Sequence, residues 1–491
     1  MRRPNILFLW CDQLNASVLG PYGGPVPTPN LARLARSGVV FDNATCPTPF
    51  CSPSRASLET GRYPHAHGIV HNVNRRDYPA IPAGPTEEGI NADEATLGKC
   101  LHDAGYATHH YGKWHLLDED LPYYPDMYTE HGAYADEMRE TFASVGERPR
   151  AEWLDWYGWL LPVEVSPEMR RAVTALGDRW DSHGHAPFIT KMGRLLMPPE
   201  DTFDARVADR VIDRLHRLDD DPFFIVGSLN YPHDPNVVPS PYYEMFDPAE
   251  IDLPANVEFL EGRFENEWSR RVVADLGEAG LREFLRLYYA ATALMDAQIG
   301  RILDALDATE RADDTIVVFA ADHGDMAGGH GMVWKSTASF YDEVMRVPLI
   351  ARYPGVLSPG RSELAVGLTD IMPTLLDFAG APIPEAVQGR SLTPWWRGDE
   401  SAGPAPKYTF CERVGTHPER CRVVEADVPA SFAVRGSGWK YVRHADGEEF
   451  LYDLATDPGE TRSQADVSAP AHATLRAALD EWLQETGCPT A

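Results

Sequence analysis

Cysteine is scarce in this sequence: seven residues in 491, namely Cys11, Cys46, Cys51, Cys100, Cys411, Cys421 and Cys488. An odd number at irregular spacing excludes a disulfide-built scaffold. Free thiols are expected, with Cys411–Cys421 the one pairing left open for an oxidising compartment. Long apolar runs are absent too. None approaches the roughly 18 uncharged residues that a membrane span needs. Basic residues are outnumbered, 44 against 74 acidic, for a formal net charge of −30. So acidic a surface is a poor binder of nucleic acid and of anionic membranes. An anionic ligand would have to be held by a local basic pocket. No internal repeat is visible.

What is present is ordinary in bulk, with 43% apolar and 24% charged residues. The length predicts one large domain plus a smaller one. The start, "MRRPNILFLWCDQLN", has two arginines and an apolar run, but the run is short and Asp12 follows at once. "NILFLW" therefore reads as a buried first strand. The chain as given is expected to be cytoplasmic, or periplasmic or secreted if a targeting segment has been removed.

Four short apolar runs read as strands buried on both faces: 5–10, 106–111, 222–229 and 314–321. Helical periodicity fills "TPNLARLARSG", with Asn30 as the expected cap and Gly38 as the stop. It recurs in "FDARVADRVIDRLHRL" and "LREFLRLYYAATALMDAQIGRILDAL". The alternation predicts an α/β fold with a large mixed, mostly parallel sheet between helices. Proline and glycine between 380 and 406 predict a linker. Strands, a hairpin and a helix follow, so residues 401–491 are expected to form a small α+β subdomain with an antiparallel sheet, after a catalytic domain over 1–400. Residues about 118–200 carry aromatics ("EWLDWYGWLL"), prolines and charges without clean periodicity, and read as an insertion over the site. Trp153, Trp156 and Trp159 read as buried under a lid or in an oligomer contact rather than as a sugar-stacking wall. His183 and His185 read as polar-loop residues.

Each predicted strand is followed at once by polar residues of catalytic type: Asp12; Lys113 and His115; His233; and Asp322, His323 and Asp325. Ligands of open parallel sheets bind beyond the strands' carboxyl ends. Four strand ends would then aim acids, histidines and a lysine at one crevice. A further cluster lies in "CSPSRASLETGR". Prolines flank Cys51, and the following residues continue as a helix. Cys51 would sit at the helix N-terminus, which attracts an anion, with Arg55 near the same face. The loop is not glycine-rich and its arginine stands four positions on, not six, which argues against a cysteine-phosphatase loop.

The stretch "CSPSRASLETGRYPHAHG" resembles the signature of the type I sulfatases, in the alkaline-phosphatase-like superfamily. "RPNILFLWCDQ", "TPNLARLARSGVVFDNAT", "GYATHHYGKWH", "NYPHDP", "TIVVFAADHGD", "GMVWKSTASFYDEVMRVPLI", "QGRSL" and "LYDLATDPGE" resemble the family's other blocks, in the same order. The resemblance implies an alkaline-phosphatase-like sandwich and a sulfuric ester hydrolase. Its Cys51 would be oxidised to formylglycine by a formylglycine-generating enzyme. The hydrate of that aldehyde offers two hydroxyls on one carbon: one attacks sulfur, and the other later expels sulfate. The resemblance further implies one divalent metal held by Asp12, Asp322, His323 and converted Cys51, with Ca²⁺ first and Mg²⁺ or Mn²⁺ next. Arg55, Lys113 and Lys335 would face the ester oxygens. His115 would deprotonate the hydrate, and His233 or Lys335 would protonate the leaving alkoxide. Asn72 reads as a substrate contact or a turn residue, and Asp325 as support for the metal site or a loop acid.

Two positions depart from the commonest pattern. Gln13 stands where many sulfatases have a second acid, and His323 where many have asparagine. This pairing resembles choline-sulfatase-like enzymes and phosphonate monoester hydrolases. A sulfate monoester, most readily a saccharide sulfate, is the expected substrate. A phosphonate monoester or phosphodiester stays open, as does a non-catalytic binding protein with unconverted Cys51. The oligomeric state is left open.

Overall fold

The four runs expected as strands lie side by side in one half of a seven-stranded sheet, with the run 106–111 at its edge. The computed structural model describes residues 3–73, 89–90, 93–116, 152–156, 159–176, 192–258, 267–335, 340–414, 430–465 and 470–488. The large sheet contains β1 (Asn5–Asp12), β2 (Val39–Thr45), β3 (Ala107–Gly112), β7 (Phe223–Pro232), β9 (Thr315–Ala321), β10 (Leu349–Arg352) and β11 (Gly360–Gly367). Their order is β11-β2-β10-β9-β1-β7-β3, and only β10 runs against the rest. Every residue of β1, β7 and β9 is buried. That is the reason they read as continuous apolar runs rather than alternating ones.

Helices flank this sheet in two sets. The helix Phe203–Leu215, the long helical segment Glu267–Asp307, which breaks at Gly277, and α1 (Pro29–Ser37) pack together in one. The other contains α2 (Cys51–Thr60), Leu97–Asp103 and Ile371–Ala379. The expected cap of α1 is corrected. The helix begins at Pro29 after Thr28, and Asn30 lies inside it. Asp296 of the long helix does the capping instead, accepting from the Asn30 and Leu31 backbone N–H groups at 3.1 and 2.8 Å. A carboxylate delivered from another helix satisfies the exposed donors, which no local pattern announces.

The stretch read as a linker is packed. Leu392, Thr393 and Trp396 are buried, and Trp396 stacks on Phe41 of β2 with ring centroids 5.0 Å apart. The described residues of the aperiodic insertion include strands. There β4 (Glu152–Trp156) and β5 (Trp159–Val165) form a hairpin, and β6 (Gly193–Leu195) and β8 (Val237–Pro239) complete a second sheet. His183, His185, Cys421 and the side chains of Trp153, Trp156 and Trp159 lie outside the described residues.

A third, antiparallel sheet is made of β12 (Thr409–Arg413), β13 (Ser431–Arg435), β14 (Trp439–His444) and β15 (Glu449–Asp453). Its two faces divide by the period of two. Phe432, Val434, Tyr441 and Leu451 pack on Leu475, Leu479, Trp482 and Leu483 of the helix Pro470–Thr486. Cys411, Ala433 and Val442 join the main core instead. A buried ion cluster adds a second tie. Lys440 Nζ meets Asp342 Oδ1 at 2.8 Å and Glu460 Oε1 at 2.5 Å, and Arg435 also binds Asp342.

Candidate active site

The site is built where four neighbouring strands end. Asp12 closes β1, and Asp322 follows β9, its N–H donating to the Cys11 carbonyl at 3.2 Å. His233 follows β7, and Lys113 and His115 follow β3. The last link depends on Gly112. Its φ is +99°, and a Cβ there would come within 2.0 Å of the Ser228 carbonyl oxygen. Glycine alone lets β3 lie that close to β7 just before Lys113.

Cys51 is the first residue of α2, whose ten residues are all buried. Pro53 falls in the first turn, where a missing N–H costs no helical hydrogen bond. Asn72 Oδ1 accepts from the Ser52 N–H at 3.1 Å, and Ser52 Oγ donates to the His115 carbonyl at 2.6 Å. Asn72 therefore caps the helix that carries Cys51.

Around the Cys51 sulfur, which stands where a formylglycine oxygen would, the neighbours are close. His323 Nε2 lies at 3.2 Å, Lys335 Nζ at 3.4 Å and Asp12 Oδ1 at 3.6 Å. His115 lies near enough to Cys51 to feel its charge. Burial and Asp12 push the thiol up. Lys335, Lys113 and His323 overcome both, and it is held well below its ordinary value.

Arg55, expected to face the ester oxygens, directs its guanidinium at the carboxylates. Nε donates to Asp322 Oδ2 at 2.8 Å and Nη2 to Asp12 Oδ2 at 2.9 Å. Nη1 donates to the Lys113 carbonyl and to Ser228 Oγ, each at 2.9 Å. The Trp10 ring lies 4.5 Å below it. Unlike the fully buried Arg55, Lys113 and Lys335 are partly exposed. Lys113 Nζ contacts Asp12 Oδ2 at 2.8 Å. Lys335 Nζ contacts Gln13 Oε1 at 3.0 Å and His233 Nε2 at 3.2 Å.

The two acids are not equivalent. Burial opposes the charge on Asp12, but Lys113, His233 and Arg55 hold it well below the usual carboxylate range. Asp322 is pushed up by burial and by the Asp12 charge. Burial also opposes charge on His323, yet Asp322 and Cys51 raise it to about 9. Burial and Lys113 push His115 down to about 4, which keeps its imidazole neutral near pH 7.

Asp12, Cys51, Asp322 and His323 all offer ligand atoms within 4.8 Å of one another, and all four are buried. His323 Nδ1 lies 2.8 Å from the Gly324 carbonyl, so it carries a hydrogen and Nε2 faces the cluster. Two repelling carboxylates and an imidazole aimed between them fit a divalent cation. The quartet coincides with the ligand set that the sequence resemblance implies.

Ser228 and Tyr288 are site residues that sequence reasoning missed. Ser228 braces Arg55 and the Lys113 carbonyl. A small polar residue late in the apolar run "PFFIVGSL" was the available signal. Tyr288, inside a long amphipathic helix, donates to the Gln13 carbonyl at 2.8 Å and gave no signal.

The chain is similar to known proteins along nearly its whole length. The sulfatase family profile matches residues 4–381, and that of the N-sulphoglucosamine sulphohydrolase C-terminal region matches 328–487. An N-acetylglucosamine-6-O-sulfatase of Bacteroides thetaiotaomicron is 27% identical, over 94% of this chain and 82% of its own. A choline-sulfatase of Rhizobium meliloti is 28% identical, over 94% and 83%. Among solved structures, the phosphonate monoester hydrolase of Agrobacterium radiobacter superposes with a TM-score of 0.69 at 26% identity, covering 100% of this chain and 96% of that one.

Proposed function

The chain belongs to the sulfatase family and is a sulfuric ester hydrolase, and from that premise we propose that it cleaves a sulfate monoester on a carbohydrate to alcohol and sulfate, with Cys51 oxidised to formylglycine as the nucleophile. The observation that carries the reading is residue 51 at a helix N-terminus, within 3.2–3.6 Å of His323, Lys335 and Asp12. A carbohydrate is favoured by the hexosamine sulfatase among the relatives.

Asp12, Asp322, His323 and residue 51 would hold a divalent cation, which supplies Lewis acidity to the ester and the nucleophile. Carboxylate-rich donors keep Ca²⁺ the first choice, and the imidazole makes Mn²⁺ its main competitor. Arg55 fixes the two carboxylates in place. Lys113 and Lys335 offset negative charge as it develops on the ester. His115, near residue 51, accepts the proton of the second hydroxyl, and loss of that proton lets the carbonyl reform and expel sulfate. His233, beside Lys335, protonates the departing alkoxide oxygen.

A second reading, hydrolysis of phosphonate monoesters or phosphodiesters, is favoured by Gln13 and His323 and by the hydrolase that shares the fold. Two measurements test the proposal. Mass spectrometry of the tryptic peptide ending at Arg55 places the thiol-to-aldehyde change on Cys51, with Cys46 in the same peptide as the internal control. Rates on an aryl sulfate and an aryl phosphodiester at equal metal loading then decide the ester. Unmodified Cys51 from a host with working conversion machinery sinks the nucleophile. A clear preference for the diester hands the function to the second reading.

A further inference from the structure

Gln13 is held at each of its polar groups. Its backbone turns through φ +60°. Its N–H donates to Asp322 Oδ1 at 3.0 Å, and its carbonyl accepts from Tyr288 Oη at 2.8 Å. Its side-chain Nε2 donates to Asp325 Oδ2 at 2.7 Å, while Oε1 accepts from Lys335 Nζ at 3.0 Å. The two ends of an amide have nearly the same shape, so only the partners decide which end faces the crevice. A lysine ammonium donates and never accepts, and an ionised carboxylate accepts and never donates. The reversed amide would set donor against donor at Lys335 and acceptor against acceptor at Asp325.

Asp325 also reaches the backbone on the lysine's side. Its Oδ1 accepts from the Ala327 and Trp334 N–H groups at 2.7 and 3.1 Å, and Trp334 immediately precedes Lys335. Asp325 is fully buried and is not one of the Cys51 quartet. One carboxylate therefore orients both members of the Gln13–Lys335 contact.

We propose that Asp325 is a positioning residue: it sets the polarity of the Gln13 amide, so that the amide oxygen and the Lys335 ammonium face each other beside residue 51. The inference rests on the reading of residue 51 as the nucleophile, but not on which ester is cleaved.

A polarity exchange tests it. Asp325→Asn can keep the Ala327 and Trp334 N–H groups on its oxygen, but it then presents an amide nitrogen to Gln13. The Gln13 amide must reverse or lose its partner. Gln13→Glu alone sets two carboxylates against each other. The double variant, Gln13→Glu with Asp325→Asn, restores donor facing acceptor at both contacts and keeps the total charge. Each single variant is expected to lose rate, and the double variant to recover, with non-additivity of roughly tenfold or more. Additive losses, or a rate in Asp325→Asn equal to the parent's, overturn the proposal. A purely structural role for Asp325 predicts no recovery on changing Gln13. The rates are read on whichever aryl ester the parent turns over. The same cycle is read in the thermal unfolding of chelated protein, where the double variant is expected to melt above both single variants. That readout needs no turnover, so it separates failure of this inference from failure of the ester assignment.

Discussion

Arg55 Nε and Asp322 Oδ2 meet at 2.8 Å with both side chains completely shielded from water. The same guanidinium holds Asp12 at 2.9 Å. Removing one partner of a buried ion pair leaves the other uncompensated, at a cost of about 3–5 kcal/mol. Arg55→Ala is therefore expected to lose about that much unfolding free energy in urea. Arg55→Lys recovers only part of it, because an ammonium cannot fork between two carboxylates. A variant as stable as the parent, reduced only in rate, would place Arg55 on the ester instead.

Chelation should separate activity from folding. Arg55 and Lys113 already offset Asp12 and Asp322, so the fold does not depend on the cation. EDTA is expected to abolish turnover while leaving a single cooperative thermal transition. Adding a cation back at ~100 times its Kd should stabilise the protein by about 2.7 kcal/mol. Global unfolding on chelation would show that the buried acids have no sufficient partner without the metal.

His233 lies 3.2 Å from Lys335, and its Nδ1 is 2.7 Å from the Asp234 carbonyl, which leaves Nε2 facing the crevice. If it protonates the leaving oxygen, His233→Ala should slow an alkyl or sugar sulfate by about 10²–10⁴-fold. An aryl sulfate, whose phenolate leaves without help, should slow much less. Equal losses on both ester types would remove His233 from that step.

His65 Nδ1 contacts Glu412 Oε2 at 2.7 Å, tying the chain beyond α2 to the third sheet. Burial opposes charge on His65, but Glu412 overcomes it and raises the pKa. A histidine raised in the folded state contributes stability that is complete below its unfolded value of about 6.5. That contribution is lost as pH rises through the folded value. The stability advantage of the parent over His65→Gln should therefore be largest below about pH 6.5 and shrink as the pH rises from there through the raised folded value. A constant difference across that range would leave the ion pair without a role.

Lys440 is fully buried between Asp342 and Glu460. Lys440→Met should cost about 3–5 kcal/mol, because it leaves buried carboxylates short of a cation. Burial opposes ionisation of Asp342, but Arg435 and Lys440 hold its carboxyl far below the usual range. This pairing is present above the unfolded aspartate value of about 3.9 and lost as pH falls below it. Denaturant melts of parent and variant at neutral and acid pH should converge on acidification.

Composition, strand-length apolar runs and motif order were enough to place Asp12, Lys113, His115, His233, Asp322 and His323 at strand ends. A strand buried on both faces must be apolar throughout, and the chemistry must then begin where the strand stops. Cys51 at a helix N-terminus was legible for the same local reason, since prolines and a helical run mark the boundary. What the sequence could not contain is which partner each polar atom chooses. Arg55 turns to two carboxylates because β1 and β9 are neighbours in the sheet, a pairing that joins residues about 310 apart. Asp296 caps α1, Tyr288 holds Gln13 and Asp325 orients its amide for the same reason. Each is a contact between segments whose spacing along the chain carries no signal. Local patterns determined which residues are chemically able, and only the tertiary structure decided which of them face one another.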